Sequence, residues 1–158
     1  MKLKEFFAHY SVKRFKNLFF LGLSHLPMPG RIFRPLLVKL GGVEFSDYKY
    51  CFVGTDISWD TVAPERIHVG KGAVITTGTI ILTHYQNMHT SKWYQGDVYI
   101  DDYAFIGART IISKPVKIGK GAVVGAGSVV TKDIPDGEVW AGNPARYIRK
   151  REIIIYKI

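Results

Sequence analysis

Written in sixes, Ile100–Pro135 reads IDDYAF, IGARTI, ISKPVK, IGKGAV, VGAGSV, VTKDIP. Every block opens on Ile or Val: Ile100, Ile106, Ile112, Ile118, Val124 and Val130. The fifth place is small or β-branched at Ala104, Thr110, Val116, Ala122 and Ser128, with Ile134 the large exception. Glycines 107, 119, 121, 125 and 127 fall between. A period of six fits neither an amphipathic helix nor an alternating strand. It is the pattern of a parallel β-helix, in which each block makes one short flat strand and three blocks make a triangular coil. The leading residue then points into the prism and stacks on its counterpart one coil away. The fifth sits near a corner, where bulk would clash. Turn glycines supply backbone conformations that a Cβ hinders.

Upstream the hexads are less regular. Their expected leading residues are Phe45, Cys51, Ile57, Ala63, Val69, Ile75 and Ile81. Cys51 then points inward and fills core rather than serving as a reactive thiol. From Ile81 to Ile100 is nineteen residues, one more than three hexads. That interval holds the polar, aromatic stretch THYQNMHTSKWYQG, Thr83–Gly96. Loops that leave a rigid scaffold are where function tends to sit. The β-helix is therefore expected over residues 41–137, with an inserted loop at about 84–97.

Residues 1–40 are not hexapeptide. They are rich in Lys, Arg, Phe and Leu and break at Pro27-Met28-Pro29-Gly30, which predicts helices over Lys2–Leu23 and Arg31–Leu40. Two readings of this segment stand. It is a helical cap or arm that packs on the β-helix or a neighbouring subunit, the favoured one because open β-helix ends need covering. Or it is an interfacial segment held by its basic and aromatic residues against anionic lipid, a peripheral membrane contact. Residues 138–158 form a short C-terminal tail, in which Ile153–Tyr156 would make a short strand or dock on a partner. The expected class is thus all-β, with an N-terminal helical segment.

The length of 158 residues suits one domain, and 47 % apolar residues suffice for a core. A formal net charge of +9 is compatible with an anionic partner or surface and equally with general solubility, and charge alone does not choose. No dedicated phosphate loop or nucleic-acid motif appears, so nucleic acid is not the expected partner. The single cysteine, Cys51, excludes an intrachain disulfide and fits a reducing compartment. No apolar run approaches the ~20 residues of a membrane span. Leu18–Leu23 is too short and too far from the start for a signal peptide. The expected location is the cytoplasm.

Three stretches carry a resemblance: VGAGSVVTKDIPDGEVWAGNPARYIRKR (Val124–Arg151), FIGARTII (Phe105–Ile112) and ITTGTIILTH (Ile75–His84). Together they resemble the hexapeptide-repeat acyltransferases, nearest the sugar O-acetyltransferases that act on maltose, galactosides and capsules. The resemblance spans about residues 41–151. It implies a left-handed β-helix, a homotrimer, and acetyl-CoA bound in grooves between adjacent prisms. Handedness comes from this resemblance and not from the periodicity.

Transfer of an acetyl group to a hydroxyl needs a base, because an alcohol is a poor nucleophile until its proton is taken. Histidine suits the task, with a reference pKa of about 6.5. The resemblance matches the family's catalytic histidine to His84. From the residues alone, a loop histidine with a structural hydrogen bond is an equal reading. His89 is the other candidate base, or an acceptor-binding residue, and His68 faces outward as ordinary surface. A third group usually orients the base. Asp60 and Asp56, roughly one coil before His84, are the candidates, against the alternative of a corner carboxylate.

A pantetheine arm needs small side chains along a coil edge. Ala108, Ala126 and Thr131 match family positions that line it, and Gly107 and Gly125 permit close approach. The cofactor phosphates call for cations, which Arg146 and Arg149 match and Lys132 and Lys150 adjoin. A solvated basic tail is the bland alternative. Phe105 and Trp140 suit packing on the cofactor or between subunits. Trp93 and Tyr94 suit an acceptor platform or a loop anchor.

A carbonic anhydrase of the same architecture would use His84 and His89 as two of three zinc ligands. No histidine lies two coils upstream, where Tyr48 stands instead, so no metal is expected. A non-enzymatic scaffold would not bind acetyl-CoA. The expectation is an acetyl-CoA-dependent O-acetyltransferase acting on a sugar or saccharide precursor, with N-transfer to an aminosugar as the alternative.

Overall fold

Three short-stranded parallel sheets share one core, and the chain visits them in rotation, in a computed structural model that describes residues 11–151. The first face carries Glu44–Phe45, Ile67–Val69, Val98–Ile100 and Lys117–Ile118. The second carries Phe52–Val53, Val74–Ile75, Phe105–Ile106, Val123–Val124 and Glu138–Ala141. The third carries Ile80–Ile81, Ile111–Ile112 and Val129–Val130. The six-residue period sets each leading residue on the one before. Val69, Ile100 and Ile118 align on the first face. Val53, Ile75, Ile106 and Val124 align on the second, and Ile81, Ile112 and Val130 on the third. All are 2 % exposed or less. Ladder bonds above and below keep such a site from collapsing. Ile106→Ala is therefore expected to cost roughly 2–5 kcal/mol, read as a lower urea midpoint.

The fifth positions form corner columns of different character. Ala73, Ala104 and Ala122 turn into the second face, and Thr79, Thr110 and Ser128 into the third. These buried hydroxyls donate to the carbonyls of Thr76 (2.8 Å), Gly107 (2.7 Å) and Gly125 (2.6 Å). They therefore leave no hydrogen bond unmade.

Upstream of Val69 the register differs from the hexad count, which put Cys51, Ile57 and Ala63 at leading positions. Pairing gives those places to Val53, beside Ile75, and Trp59, whose neighbour Ser58 bridges Ile80. Cys51 and Ile57 are buried two residues earlier, at corners. Counting slips because the chain makes 3-10 turns at Tyr48–Tyr50 and Pro64–Arg66 between strands. Burial pushes the Cys51 thiol above its usual range. Ile134, counted as a bulky corner residue, instead bridges Ile118 and continues the first-face column.

The nineteen residues from Ile81 to Ile100 do not make three hexads, the one coil that their number suggests. They occupy one step, from third face to first, and the surplus leaves as a hairpin. Beyond Gly137 the second face gains Glu138–Ala141, which sets Trp140 beside Val124, and Arg146–Lys150 folds back antiparallel.

Helices α1 (Val12–Leu23) and α2 (Phe33–Leu40) precede the coil. The start of the first expected helix and Ile153–Tyr156 lie outside the described residues. Ser11 caps α1 by accepting from the Arg14 amide at 3.3 Å. Leu21 and Val38 join the core. Buried Arg34 donates to the carbonyls of Val53 (3.0 Å), Ser24 (2.9 Å) and Met28 (2.7 Å). The Val53 amide donates to Gly30 O at 2.9 Å. The helices thus satisfy polar groups at the first turn of the coil.

Candidate active site

After Ile81 the chain turns through Leu82 and Thr83 and leaves the prism as the hairpin His84–Asn87 and Lys92–Gln95. Its neck is closed by the Gly96 amide donating to Thr83 O at 2.9 Å. Its tip is shaped by Asn87, whose Oδ1 accepts from the amides of His89 (2.9 Å) and Thr90 (3.2 Å), the turn chemistry expected of asparagine. His84 stands at the neck, opposite Gln95.

Asp60 meets His84 there. The segment Ser58–Trp59–Asp60 lies beside the strand Ile80–Ile81, so Asp60 projects from the coil above onto the same corner. It is 3 % exposed. Its Oδ2 accepts from the Thr83 amide (2.7 Å), the Thr83 hydroxyl (2.6 Å) and His84 Nδ1 (2.7 Å). Its Oδ1 accepts from the Val62 amide at 2.8 Å. Burial alone would raise the carboxyl pKa. Hydrogen bonds from Thr83, Val62 and His84 outweigh it and hold the pKa below the ordinary 3.8. Asp60 is then an ionised, acceptor-only group near neutral pH. The proton between it and His84 must sit on Nδ1, which leaves the Nε2 lone pair free to take a proton.

The hairpin sorts the other predicted residues. Strand neighbours point to opposite sides. Trp93 lies diagonal to His84 and on its side, with ring centroids 5.4 Å apart. Tyr94 is on the other side, stacked on Tyr85 at 5.1 Å, with Lys114 Nζ 5.8 Å from the Tyr85 ring. His89 is at the exposed tip, away from the neck. Asp56 is exposed and 3.9 Å from His25, so geometry selects Asp60 as the partner of His84. Among the described residues no group of three His, Cys, Asp or Glu could hold a metal ion.

The expected cofactor residues lie elsewhere. Ala108 and Ala126 are exposed at the corner between second and third faces, next to Gly107 and Gly125. A Cβ on Gly107 would sit 2.5 Å from the Ala126 amide nitrogen, so this ledge requires glycine. Thr131 follows Val130 at the corner between third and first faces, the one His84 leaves from. Arg146 and Arg149 are exposed on the last strand, and neither makes a salt bridge among the described residues. Phe105 faces outward on the second face, and Trp140 Nε1 donates to Glu138 at 2.8 Å. Sequence reasoning missed Thr83, the double donor to Asp60. Its only signal was a hydroxyl residue just before the loop histidine.

Residues 97–132 match the bacterial transferase hexapeptide, with six repeats. Over 93 residues the chain is 46 % identical to YvoF of Bacillus subtilis (strain 168), a candidate acetyltransferase. That match covers 59 % of this chain and 53 % of the relative, so the chain spans about half the relative's length. The chain is also similar to the crystal structure of a maltose O-acetyltransferase from Clostridium difficile 630, at 26 % identity and a TM-score of 0.66. The two align over 89 % of this chain and 87 % of the other. A hexapeptide-repeat acetyltransferase from Vibrio cholerae O1 biovar eltor, VCA0836, solved with acetyl-coenzyme A, shares the fold. It aligns at 19 % identity and a TM-score of 0.66, over 89 % of this chain and 87 % of that one. In both, the likeness extends well beyond the hexapeptide array.

Proposed function

We propose that the chain is an acetyl-CoA-dependent O-acetyltransferase whose acceptor is a hydroxyl of a sugar or saccharide precursor. One observation carries this reading: the 2.7 Å contact of His84 Nδ1 with a buried, fully hydrogen-bonded Asp60. That contact occupies Nδ1 and leaves Nε2 as the proton acceptor, with the indole of Trp93 beside the imidazole ring. In the reaction Nε2 takes the acceptor proton as the oxygen attacks the thioester carbonyl. The tetrahedral intermediate collapses with cleavage of the carbon–sulfur bond. The imidazolium returns its proton to the departing sulfur, giving free CoA and the ester. Asp60 stabilises the imidazolium between these steps without becoming protonated. Trp93 offers an apolar face for a sugar ring.

Trimeric assembly and left-handed winding accompany this reading. The outer side of the second face is a ladder of Phe52, Val74, Phe105, Val123 and Val139. The third presents Ile80, Ile111 and Val129, while the first presents Glu44, His68, Tyr99 and Lys117. Two apolar outer faces and one polar face suit contacts around a threefold axis. Ala108 and Ala126 stand on one edge of the third face and His84 on the other. A groove between two protomers would bring both sets onto one ligand. The guanidiniums of Arg146 and Arg149, which make no salt bridge among the described residues, would take the cofactor phosphates.

Calorimetric titration with acetyl-CoA tests the donor. Wild type binds, and the Arg146→Ala/Arg149→Ala variant binds roughly ten- to a hundredfold more weakly. A well-folded wild type that does not bind would sink the reading. Saccharide and aminosugar acceptors, assayed side by side for release of free CoA, then separate O- from N-transfer.

A further inference from the structure

The side of α1 turned away from the protein is apolar, which reverses the usual arrangement of a helix covering a core. Buried Asn17 and Leu21 mark its inward side. At 3.6 residues per turn, Phe19 points the opposite way, flanked by Val12, Phe15 and Leu23. Val12 is 88 % exposed, Phe15 74 % and Phe19 56 %. Leu26, Ile32 and Phe33, in the connection and at the start of α2, are each more than half exposed as well. A groove of about 440 Å³ between the helices is lined by Leu23, Leu26, Met28, Phe33 and Leu36 among others.

The same segment holds most of the chain's charge. Residues 1–43 contain eight Lys or Arg and one Asp or Glu, which is +7 of the net +9. Residues 11–43 contain no acid at all. Arg34 is committed to backbone carbonyls and Lys13 lies 3.4 Å from Glu65. Exposed Lys16 falls on the outer side of α1, between Val12 and Phe19, a place from which a lysine can lay its stem along the apolar strip and keep its ammonium at the rim. Arg31 is exposed in the connection, beside Ile32 and Phe33.

We propose that this face docks the protein on an anionic lipid bilayer. Apolar side chains rimmed by cations are what an interfacial helix presents to a headgroup layer. Charge selects the bilayer over a second copy. Two copies laid face to face would bring like charges together, whereas anionic headgroups neutralise them. The outer ladders of the second and third faces carry no such excess and remain available for self-association. Among the described residues no helix is long and apolar enough to cross a membrane, so the contact is made along the surface. Leu18 and Gly22 of α1, with His25 just after it, share a cleft with Ser58, Trp59 and Thr61, the neighbours of Asp60. Docking therefore holds the catalytic corner beside the bilayer. The consequence that a lipid-linked acceptor meets His84 there rests on the acetyltransferase reading, whereas the docking itself does not.

Co-sedimentation of the full chain with phosphatidylcholine vesicles, with and without phosphatidylglycerol, tests the docking. Binding is expected only with the anionic lipid and is expected to weaken as salt rises. Phe15→Glu/Phe19→Glu should lower the partition coefficient roughly tenfold or more. Lys16→Glu/Arg31→Glu should do so by a similar factor. Both variants should keep the wild-type sedimentation mass and acetyl-CoA affinity. Equal binding to neutral vesicles would overturn the proposal, as would wild-type binding by the Phe variant. A Phe variant whose mass falls to that of a smaller assembly would also overturn it, because the face would then be a subunit contact. Lipid binding without acetyl-CoA binding would leave the docking standing and sink the enzymatic reading.

Discussion

His84→Ala is expected to lower kcat roughly a hundred- to ten-thousandfold, the range supplied by a positioned general base. Acetyl-CoA affinity should hardly change, because in the proposed mechanism the imidazole acts on the acceptor proton. The loss should therefore appear in kcat and not in the donor's KM. His89→Ala is the matched control. That residue is exposed at the hairpin tip, so its removal should leave kcat within a few-fold of wild type. Release of free CoA, followed with a thiol reagent across a saccharide panel, reads both variants. If His84→Ala stays within about tenfold of wild type, the proton goes elsewhere and the assignment fails.

The array was legible because its leading residues repeat without interruption. From Ile100 to Val130 each predicted inward residue is buried. Upstream the same rule failed for a physical reason. The prism accepts any chain length at a corner if the next strand regains its ladder bonds, as the turns at Tyr48–Tyr50 and Pro64–Arg66 do. Cys51 and Ile57 are apolar and buried at corners, so composition could not separate them from Val53 and Trp59. The interval from Ile81 to Ile100 misled in another way. Its length lies near a multiple of six, and only pairing reveals one step plus a hairpin.

Site residues were legible in proportion to how local their geometry is. His84 was marked by motif resemblance and by its place at the loop's start. Asp60 was only one of two carboxylates about a coil away, and the extra residues before Val69 blurred the count. The buried hydrogen bonds decide between them. Trp93 and Tyr94 are adjacent in sequence and looked equivalent, yet strand alternation puts only Trp93 beside His84. In α1 apolar residues lie all round, so sequence could not say which of them face outward.

Asp60→Asn is expected to reduce kcat roughly a hundredfold or more while leaving a folded protein. The amide would turn either its oxygen or its nitrogen toward His84. With nitrogen there it donates to Nδ1, forces the proton onto Nε2 and leaves no base. With oxygen there it opposes the Val62 amide with a second donor. Either way four donors lose a doubly accepting partner, so the thermal midpoint should fall too. The pH dependence of stability tests the ionised carboxylate separately from the loss of kcat. The folded-state pKa of Asp60 is lowered from 3.8, so its contribution to stability is fully present above that value and is lost as pH falls through the folded value. Thermal midpoints taken from neutral into acid should show this loss in wild type, whereas the variant should lack that component. A variant with wild-type kcat and the same acid slope would mean that Asp60 neither sets the tautomer of His84 nor holds its charge.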